Sequence, residues 1–139
     1  MKNIEDFLAS RTVVFTRDGH PVYESADSGI KPLVAAIDSG VDYSGCDAAD
    51  RIVGKAAAML YALLRVKSVS ACVMTHKAKE ILTANGIARE ADAYADAIVN
   101  RKGDGLCPME TAVKDITEPN AALGAIRNKI EQLRSGAAQ

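Results

Sequence analysis

Residues 50–64, DRIVGKAAAMLYALL, decide the expected fold. This stretch is the longest apolar run in the chain, and its residues favour helices almost throughout, so it predicts a buried central helix. Lys55 is the single cation within the small-residue run of residues 54–58. An ammonium group on an apolar helix requires a carboxylate, a ligand or an exit to water. Lys55 therefore marks a first candidate site.

Length and charge limit the kinds of function that can be expected. The 139 residues suit one α/β domain, for which we predict residues 1–134, followed by a flexible tail at residues 135–139. The 17 basic and 18 acidic side chains leave no global field that would attract nucleic acid or anionic lipid. Aromatic residues make up 4% of the chain and Trp is absent, so few side chains can stack on bases. Nucleic acid is not an expected partner.

The cysteines and the amino terminus indicate a compartment. Cys46, Cys72 and Cys107 are an odd number, lie far apart and form no Cys-x-x-Cys pair, which favours a reducing environment. The first ten residues contain no signal-peptide core, and residues 50–64 are too short and interrupted to span a bilayer. The prediction is a soluble cytoplasmic protein without a membrane partner.

The chain before the central run predicts an antiparallel hairpin between two helices. Asp18-Gly19 is a hairpin signal, and the residues on either side of it favour strands. The predicted elements are a helix at residues 4–9, strands at 11–17 and 21–25, a helix at 30–38 and a loop at 41–49 in which Asp47 caps the central helix.

The chain after the central run predicts a β-α-β unit and two further helices. Residues 68–75 form an apolar β-branched run typical of a central strand, and Thr75 can cap the helix that follows. The remaining predictions are a helix at residues 76–84, a parallel strand at 87–93, a polar loop at 100–105, a helix from Pro108 to Ile116 and a last helix from residue 119; residues 94–99 fit either helix or extended chain.

This order of elements resembles the cytidine-deaminase-like fold, an α/β fold with a three-layer α/β/α sandwich and here a mixed sheet that begins with the antiparallel hairpin. Three motifs are similar to the marks of an uncharacterised bacterial domain family within that superfamily: Gly54-Lys55-Ala56, Asn100-Arg101-Lys102-Gly103 and Cys107-Pro108-Met109-Glu110. The resemblance implies the fold but brings no established activity.

The resemblance also implies that the zinc site is absent. In zinc deaminases the helix equivalent to residues 50–64 supplies a metal-binding His or Cys and, two residues later, a catalytic Glu, and the next helix begins with Pro-Cys-x-x-Cys. Lys55 and Ala57 stand at the first two positions, and the next helix begins with residues 75–79, THKAK. We therefore expect no metal site, no cofactor and no zinc-dependent deamination.

Cys107 and Glu110 are the candidate catalytic residues. Cys107 precedes Pro108 at a predicted helix start, where backbone amides and a neighbouring Arg101 or Lys102 would favour a thiolate. The thiol is then nucleophilic or redox-active, or it simply caps and packs. Glu110, the third helical residue, either completes the cap or acts as a general base.

The candidate ligand-binding residues are Lys55, Gly54, Asn100, Arg101 and Gly103. Lys55 can bind a phosphate or carboxylate while Gly54 lets a ligand come close; alternatively it pairs with Asp47 or Glu110, or reaches water. The loop at residues 100–105 either cradles an anion or is an ordinary turn. His20 and His76 are isolated and receive no role.

Three functional hypotheses follow. The leading one is a deaminase-like domain that binds a small anionic or nucleotide-like ligand between Lys55 and residues 100–110. The second is a thiol-dependent enzyme or redox sensor that uses Cys107. The third is a structural domain that self-associates into a homo-oligomer through a sheet edge or through the small-residue face of residues 50–64.

Overall fold

A five-stranded mixed sheet organises the structure, a computed structural model that describes residues 4–100, 102–103 and 105–136. The strands are β1 (Val13–Arg17), β2 (His20–Ser25), β3 (Asp47–Val53), β4 (Ser68–Thr75) and β5 (Ala88–Ala95), in the sheet order β2-β1-β3-β4-β5. β1 runs antiparallel to β2 and β3, whereas β3, β4 and β5 are mutually parallel. The predicted mixed α/β class is thus confirmed.

Helices cover the two faces of the sheet unequally. They are α1 (Ile4–Leu8), α2 (Lys31–Asp38), α3 (Lys55–Leu64), α4 (His76–Ala84), α5 (Pro108–Ala112) and α6 (Pro119–Ser135). On one face α2, α3, α4 and α6 enclose the large core, whose biggest buried members include Phe15, Leu33, Tyr61, Met74, Leu82 and Ile126. On the other face α1 alone closes a small core of Ile4, Leu8, Val14 and Ala49.

The predicted antiparallel hairpin is confirmed. Asp18 and Gly19 both have positive φ, 53° and 82°, as a two-residue turn between twisted antiparallel strands requires. β1 then pairs with β3 on its other side, with Val14 opposite Ala49. The hairpin is therefore joined to the parallel part of the sheet through β1.

The prediction of one helix over residues 50–64 was wrong. The first part of this stretch belongs to β3, Gly54 is the junction, and α3 begins at Lys55. The predicted loop at residues 41–49 correspondingly ends at β3, so Asp47 begins a strand and caps no helix. Ala48 packs into the large core and Ala49 into the small one, and burial on both faces of a sheet overrides the helix propensity of alanine.

The predicted β-α-β unit is confirmed, with β4, α4 and β5 in that order. The Thr75 side chain accepts a hydrogen bond from the Ala78 backbone N–H at 3.1 Å, which is the predicted cap. The middle of the sheet, however, is β3 and not the predicted strand at residues 68–75.

The last two helices follow the predicted order, with one shortened. α5 starts at Pro108 as expected but ends at Ala112 instead of continuing to Ile116. α6 continues through Ser135, and Gly136 ends it with φ 78°. Of the predicted tail, residues 137–139 lie outside the described residues. None of the helices in the described ranges has the length and apolar character that crossing a membrane demands.

Candidate functional site

The parallel part of the sheet defines the edge where a site is expected. β3, β4 and β5 end side by side, and α3 and α4 begin directly after β3 and β4. Ligands of open α/β sheets bind outside the carboxyl ends of the strands. The segment after β5 folds back over this edge, and α5 brings Cys107 and Glu110 to the start of α3.

Glu110 occupies the amino terminus of α3. The backbone N–H of Lys55 donates to Glu110 Oε1 at 2.9 Å, and that of Ala56 donates to Oε2 at 2.8 Å. A carboxylate there satisfies two amides that lack helical partners and complements the helix dipole. Glu110 was predicted to cap its own helix or act as a base; the structure places it as the cap of α3.

Gly54 makes room for this carboxylate. A Cβ atom at position 54 would lie 2.7 Å from the Glu110 carboxyl carbon and also clash with Ile98 Cδ1. The backbone at Gly54 has φ −106° and ψ −168°, which any residue can adopt. Glycine is therefore favoured here by space and not by conformation, because a Cβ would force the Glu110 or Ile98 side chain to shift.

The Lys55 side chain points away from this contact. Its Nζ donates to the backbone oxygen of Lys114 at 2.9 Å, at an exposed position. Of the alternatives for Lys55, a pairing of the ammonium with Asp47 or Glu110 is contradicted, because Glu110 meets the backbone of Lys55 and Asp47 lies 3.8 Å from Lys67.

A cavity of about 290 Å³ opens beside the start of α3 and is called the Asp50 cavity below. Its walls are mostly apolar, with polar groups at Thr12, Ser28, Asp50, Arg51, Cys107 and Glu110. The other lining residues are Gly29 and Ile30 before α2, Leu33 from α2, Ile52 and Gly54 from the end of β3 and its junction, Ala56 and Ala57 from α3, and Ile98 and Met109 from the returning segment. An apolar hollow with a few polar groups is the usual form of a small-molecule site.

Asp50 is the buried carboxyl group of this cavity. It is 7% exposed, and the hydroxyl of the fully buried Tyr61 donates to its Oδ2 at 2.6 Å. Burial raises the pKa of Asp50 from 3.8 to about 7, although hydrogen bonds from Tyr61 and from the Arg51 and Ile52 amides favour the ionised form. Asp50 can therefore exchange a proton near neutral pH, as a general acid or base must.

Asp50 and Tyr61 were missed at the sequence level. Asp50 stood at the edge of an apolar run that read as a helix, so its carboxyl group looked like part of a helix start. The available signal was an acidic residue in the middle of the strand-compatible stretch Asp47–Val53. In a strand, alternation turns Asp50 to the same side as Ala48, toward the large core and Tyr61.

Cys107 lies on the wall of the Asp50 cavity, where it is half-buried. It stands at the N-cap position of α5 as predicted, but its side chain makes no capping hydrogen bond. Its backbone N–H donates to Ile98 O at 2.9 Å, which fixes the returning segment at this point. Its thiol chemistry stays a prediction.

The loop at residues 100–105 is hydrogen-bonded to itself. The Gly103 N–H donates to the Asn100 side-chain oxygen at 2.8 Å, and the Asn100 N–H donates to Gly105 O at 2.8 Å. The Gly103 amide, which could have faced an anion, is thus used within the turn. Arg101 lies outside the described residues, and the binding roles of Asn100, Arg101 and Gly103 stay predictions.

A second depression, called the lysine hollow below, adjoins the Asp50 cavity and measures about 190 Å³. Lys55, Lys77 and Lys114 contribute to it, and Ile98 and Glu110 form walls of both spaces. Asp96, which lies 3.6 Å from His76 Nε2, is the other acidic residue of its lining.

No cluster suited to a metal ion stands out at this edge. Over the described ranges, no group of three or more His, Cys, Asp and Glu side chains is placed to hold a metal ion. Lys55 and Ala57 lie in the first turn of α3, and α4 begins with His76-Lys77 after Thr75.

The comparisons with known proteins identify a family. The model of a domain of unknown function, DUF1893 (TM1506), matches residues 5–130. The crystal structure of a DUF1893 family protein, TM1506 from Thermotoga maritima, is similar with a TM-score of 0.74 and 25% sequence identity, over 88% of this chain and 80% of that chain. No curated protein matches the chain. The chain therefore belongs to the DUF1893 family.

Proposed function

We propose that this chain is a deaminase-like domain without a zinc site that binds a small nucleoside-like molecule in the Asp50 cavity. One observation carries the proposal: a carboxyl group that is 7% exposed lies on the wall of a cavity of about 290 Å³. Desolvating a carboxyl group is costly, and groups with strongly shifted pKa values cluster at functional sites.

The proposal includes a cytidine-deaminase-like fold and a three-layer α/β/α arrangement. It is supported by the order of α1, the β1–β2 hairpin and the β3-α3-β4-α4-β5 unit, and by α1 lying on the sheet face opposite α3. A cytoplasmic location belongs to the same proposal and is supported by three free cysteines.

The chemistry of the cavity narrows the class of ligand, which was expected to be a small anionic or nucleotide-like molecule. Apolar side chains such as Leu33 and Met109 suit the flat body of a base. The acidic groups Asp50 and Glu110 outnumber Arg51 in the described lining and disfavour an anion inside the cavity itself. A carboxyl group accepts a hydrogen bond from an exocyclic amino group, and when protonated it donates to a ring nitrogen. The Asp50 cavity thus favours an uncharged, amino-bearing base.

Calorimetric titration of the four ribonucleosides tests the proposal. We expect saturable binding of at least one nucleoside with an amino group. Asp50→Asn should lose roughly tenfold or more in affinity. A tenfold loss is about 1.4 kcal/mol of binding free energy, near the lower end of the contribution of one hydrogen bond to a charged group. Asp92→Asn is the matched control, since Asp92 is exposed on β5 and does not line the cavity, and it should bind like the wild type.

Two outcomes would overturn the proposal. One is the absence of saturable binding by any nucleoside to wild-type protein that is folded by circular dichroism. The other is unchanged affinity in Asp50→Asn, because the ligand would then lie elsewhere. The thiol and self-association hypotheses stay predictions.

A further inference from the structure

We propose that the lysine hollow is an anion subsite that holds the phosphoryl group of the same ligand, which makes the preferred ligand a nucleoside phosphate. This inference rests on the proposed function, because it assigns the charged part of a molecule whose base lies in the Asp50 cavity. The hollow is lined by three lysines from different places in the chain: Lys55 at the start of α3, Lys77 at the start of α4 and Lys114 after α5.

The described lining of the hollow carries three lysines against two carboxylates, Glu110 and Asp96, which is a formal excess of one positive charge. Glu110 is engaged by the two amides of α3, and Asp96 faces His76 at 3.6 Å. Lys77 pairs with Glu80 at 3.3 Å. Within the described ranges, Lys55 and Lys114 take part in no ion pair. The Lys55 ammonium donates one of its three protons to Lys114 O at 2.9 Å, so an anion in the hollow would lie beside two lysines that can each still donate to it.

The start of α3, the most obvious anion site at this edge, is already filled. Glu110 accepts the hydrogen bonds of the Lys55 and Ala56 amides, so an incoming phosphoryl group would have to displace a carboxylate that the protein itself supplies. The lysine hollow lies on the other side of the Glu110 side chain and needs no displacement. The anion is therefore assigned to the hollow.

The two spaces are neighbours. Ile98 and Glu110 line both the Asp50 cavity and the lysine hollow, so one ligand that reaches past these two side chains would occupy both spaces. Thr75 also lines the hollow; its hydroxyl accepts from the Ala78 N–H, which leaves the hydroxyl proton to donate. A base in the cavity and a phosphoryl group in the hollow fit this arrangement.

The test compares each ribonucleoside with its 5′-monophosphate by calorimetry. We expect the monophosphate to bind at least tenfold more tightly than its nucleoside at low ionic strength, with the difference shrinking in added salt. Lys114→Ala should reduce the affinity for the monophosphate toward that of the nucleoside and leave the affinity for the nucleoside unchanged. Lys114 is exposed, so this substitution does not threaten folding.

Lys67→Ala is the matched control, because Lys67 precedes β4 at the opposite edge of the sheet. Equal affinities for nucleoside and monophosphate, or an equal loss in Lys67→Ala and Lys114→Ala, would overturn the subsite while leaving the proposed function in place. Failure of the nucleosides alone would instead overturn the proposed function, since the Asp50 cavity would then be empty.

Discussion

At the scale of single residues, burying the Asp50 carboxyl group costs free energy of folding that the rest of the chain must offset. Its pKa is about 7 in the folded protein against 3.8 for an ordinary Asp, chiefly because of burial. Between these values the folded protein holds a proton that the unfolded chain has released. The free energy of unfolding therefore falls as the pH rises from about 4 to about 7, and this contribution is level above that range.

We predict that Asp50→Asn removes most of this pH dependence. Three pKa units correspond to on the order of 4 kcal/mol, so the variant should lose much less stability than the wild type between pH 4 and pH 8. The asparagine amide also keeps an oxygen that accepts from Tyr61. Urea unfolding at several pH values measures the effect, and equal slopes for variant and wild type would show that Asp50 does not titrate in this range.

Lys55 and Asp50 illustrate what the sequence could and could not predict about the site. Lys55 was conspicuous as a lone cation, and the structure places it at the start of α3, at the carboxyl edge of the sheet. Asp50 was missed because its importance depends on Tyr61, eleven residues later, and on β3 being a strand. Glu110 was identified, and its pairing with Lys55 was one alternative, but its contact with the backbone amides of α3 was not predicted, because contacts between distant segments leave no local pattern.

At the scale of elements, the β3–α3 junction depends on Gly54 and Glu110 acting together. The carboxylate that caps α3 occupies space that a Cβ at position 54 would share. The local sequence around Ala49 did not distinguish a helix from a strand. Pairing with β1, in which Ala49 lies opposite Val14, makes it a strand. The hairpin and the β-α-β unit, which rest on turn signals and β-branched residues, were predictable from local pattern.

We predict that Gly54→Ala and Glu110→Ala destabilise the protein non-additively. Gly54→Ala should cost roughly 1–3 kcal/mol by overpacking, and Glu110→Ala about 0.5–2 kcal/mol by loss of a cap. The double variant should cost less than the sum, because without the carboxylate one of the two clashes disappears.

Urea denaturation of the four proteins measures this coupling. Gly124→Ala on α6 is the control, since a Cβ there meets nothing within 4 Å, and it should stabilise by about 0.5–1 kcal/mol through helix propensity. Strict additivity of Gly54→Ala and Glu110→Ala would show that the two residues do not compete for the same space.

At the scale of the whole molecule, the sheet separates two cores of unequal size. The large core joins four helices to the sheet, whereas the small core depends on the five-residue α1. A short helix with few buried contacts opens more easily than the rest of a domain. Labelling of two native thiols measures the opening of the two cores separately. Cys46 is fully buried in the large core, and half-buried Cys72 packs against the small one.

We predict that Leu60→Ala accelerates the labelling of Cys46 but not that of Cys72. Leu60 is fully buried in the large core, and its truncation should cost about 2–5 kcal/mol, which raises global opening and hence Cys46 labelling more than tenfold. Undocking of α1 breaks no contact of Leu60, so Cys72 labelling should change less than about twofold.

Leu8→Ala provides the opposite case, because Leu8 is a fully buried residue of α1 itself and its contacts break in both kinds of opening. It should accelerate the labelling of Cys46 and Cys72 alike. Burial raises the pKa of both thiols, so the rates must be compared at one pH, with each cysteine resolved by peptide mass spectrometry. Equal acceleration of both thiols in Leu60→Ala would mean that the two faces open as one cooperative unit and that α1 is no weaker than the helices opposite it.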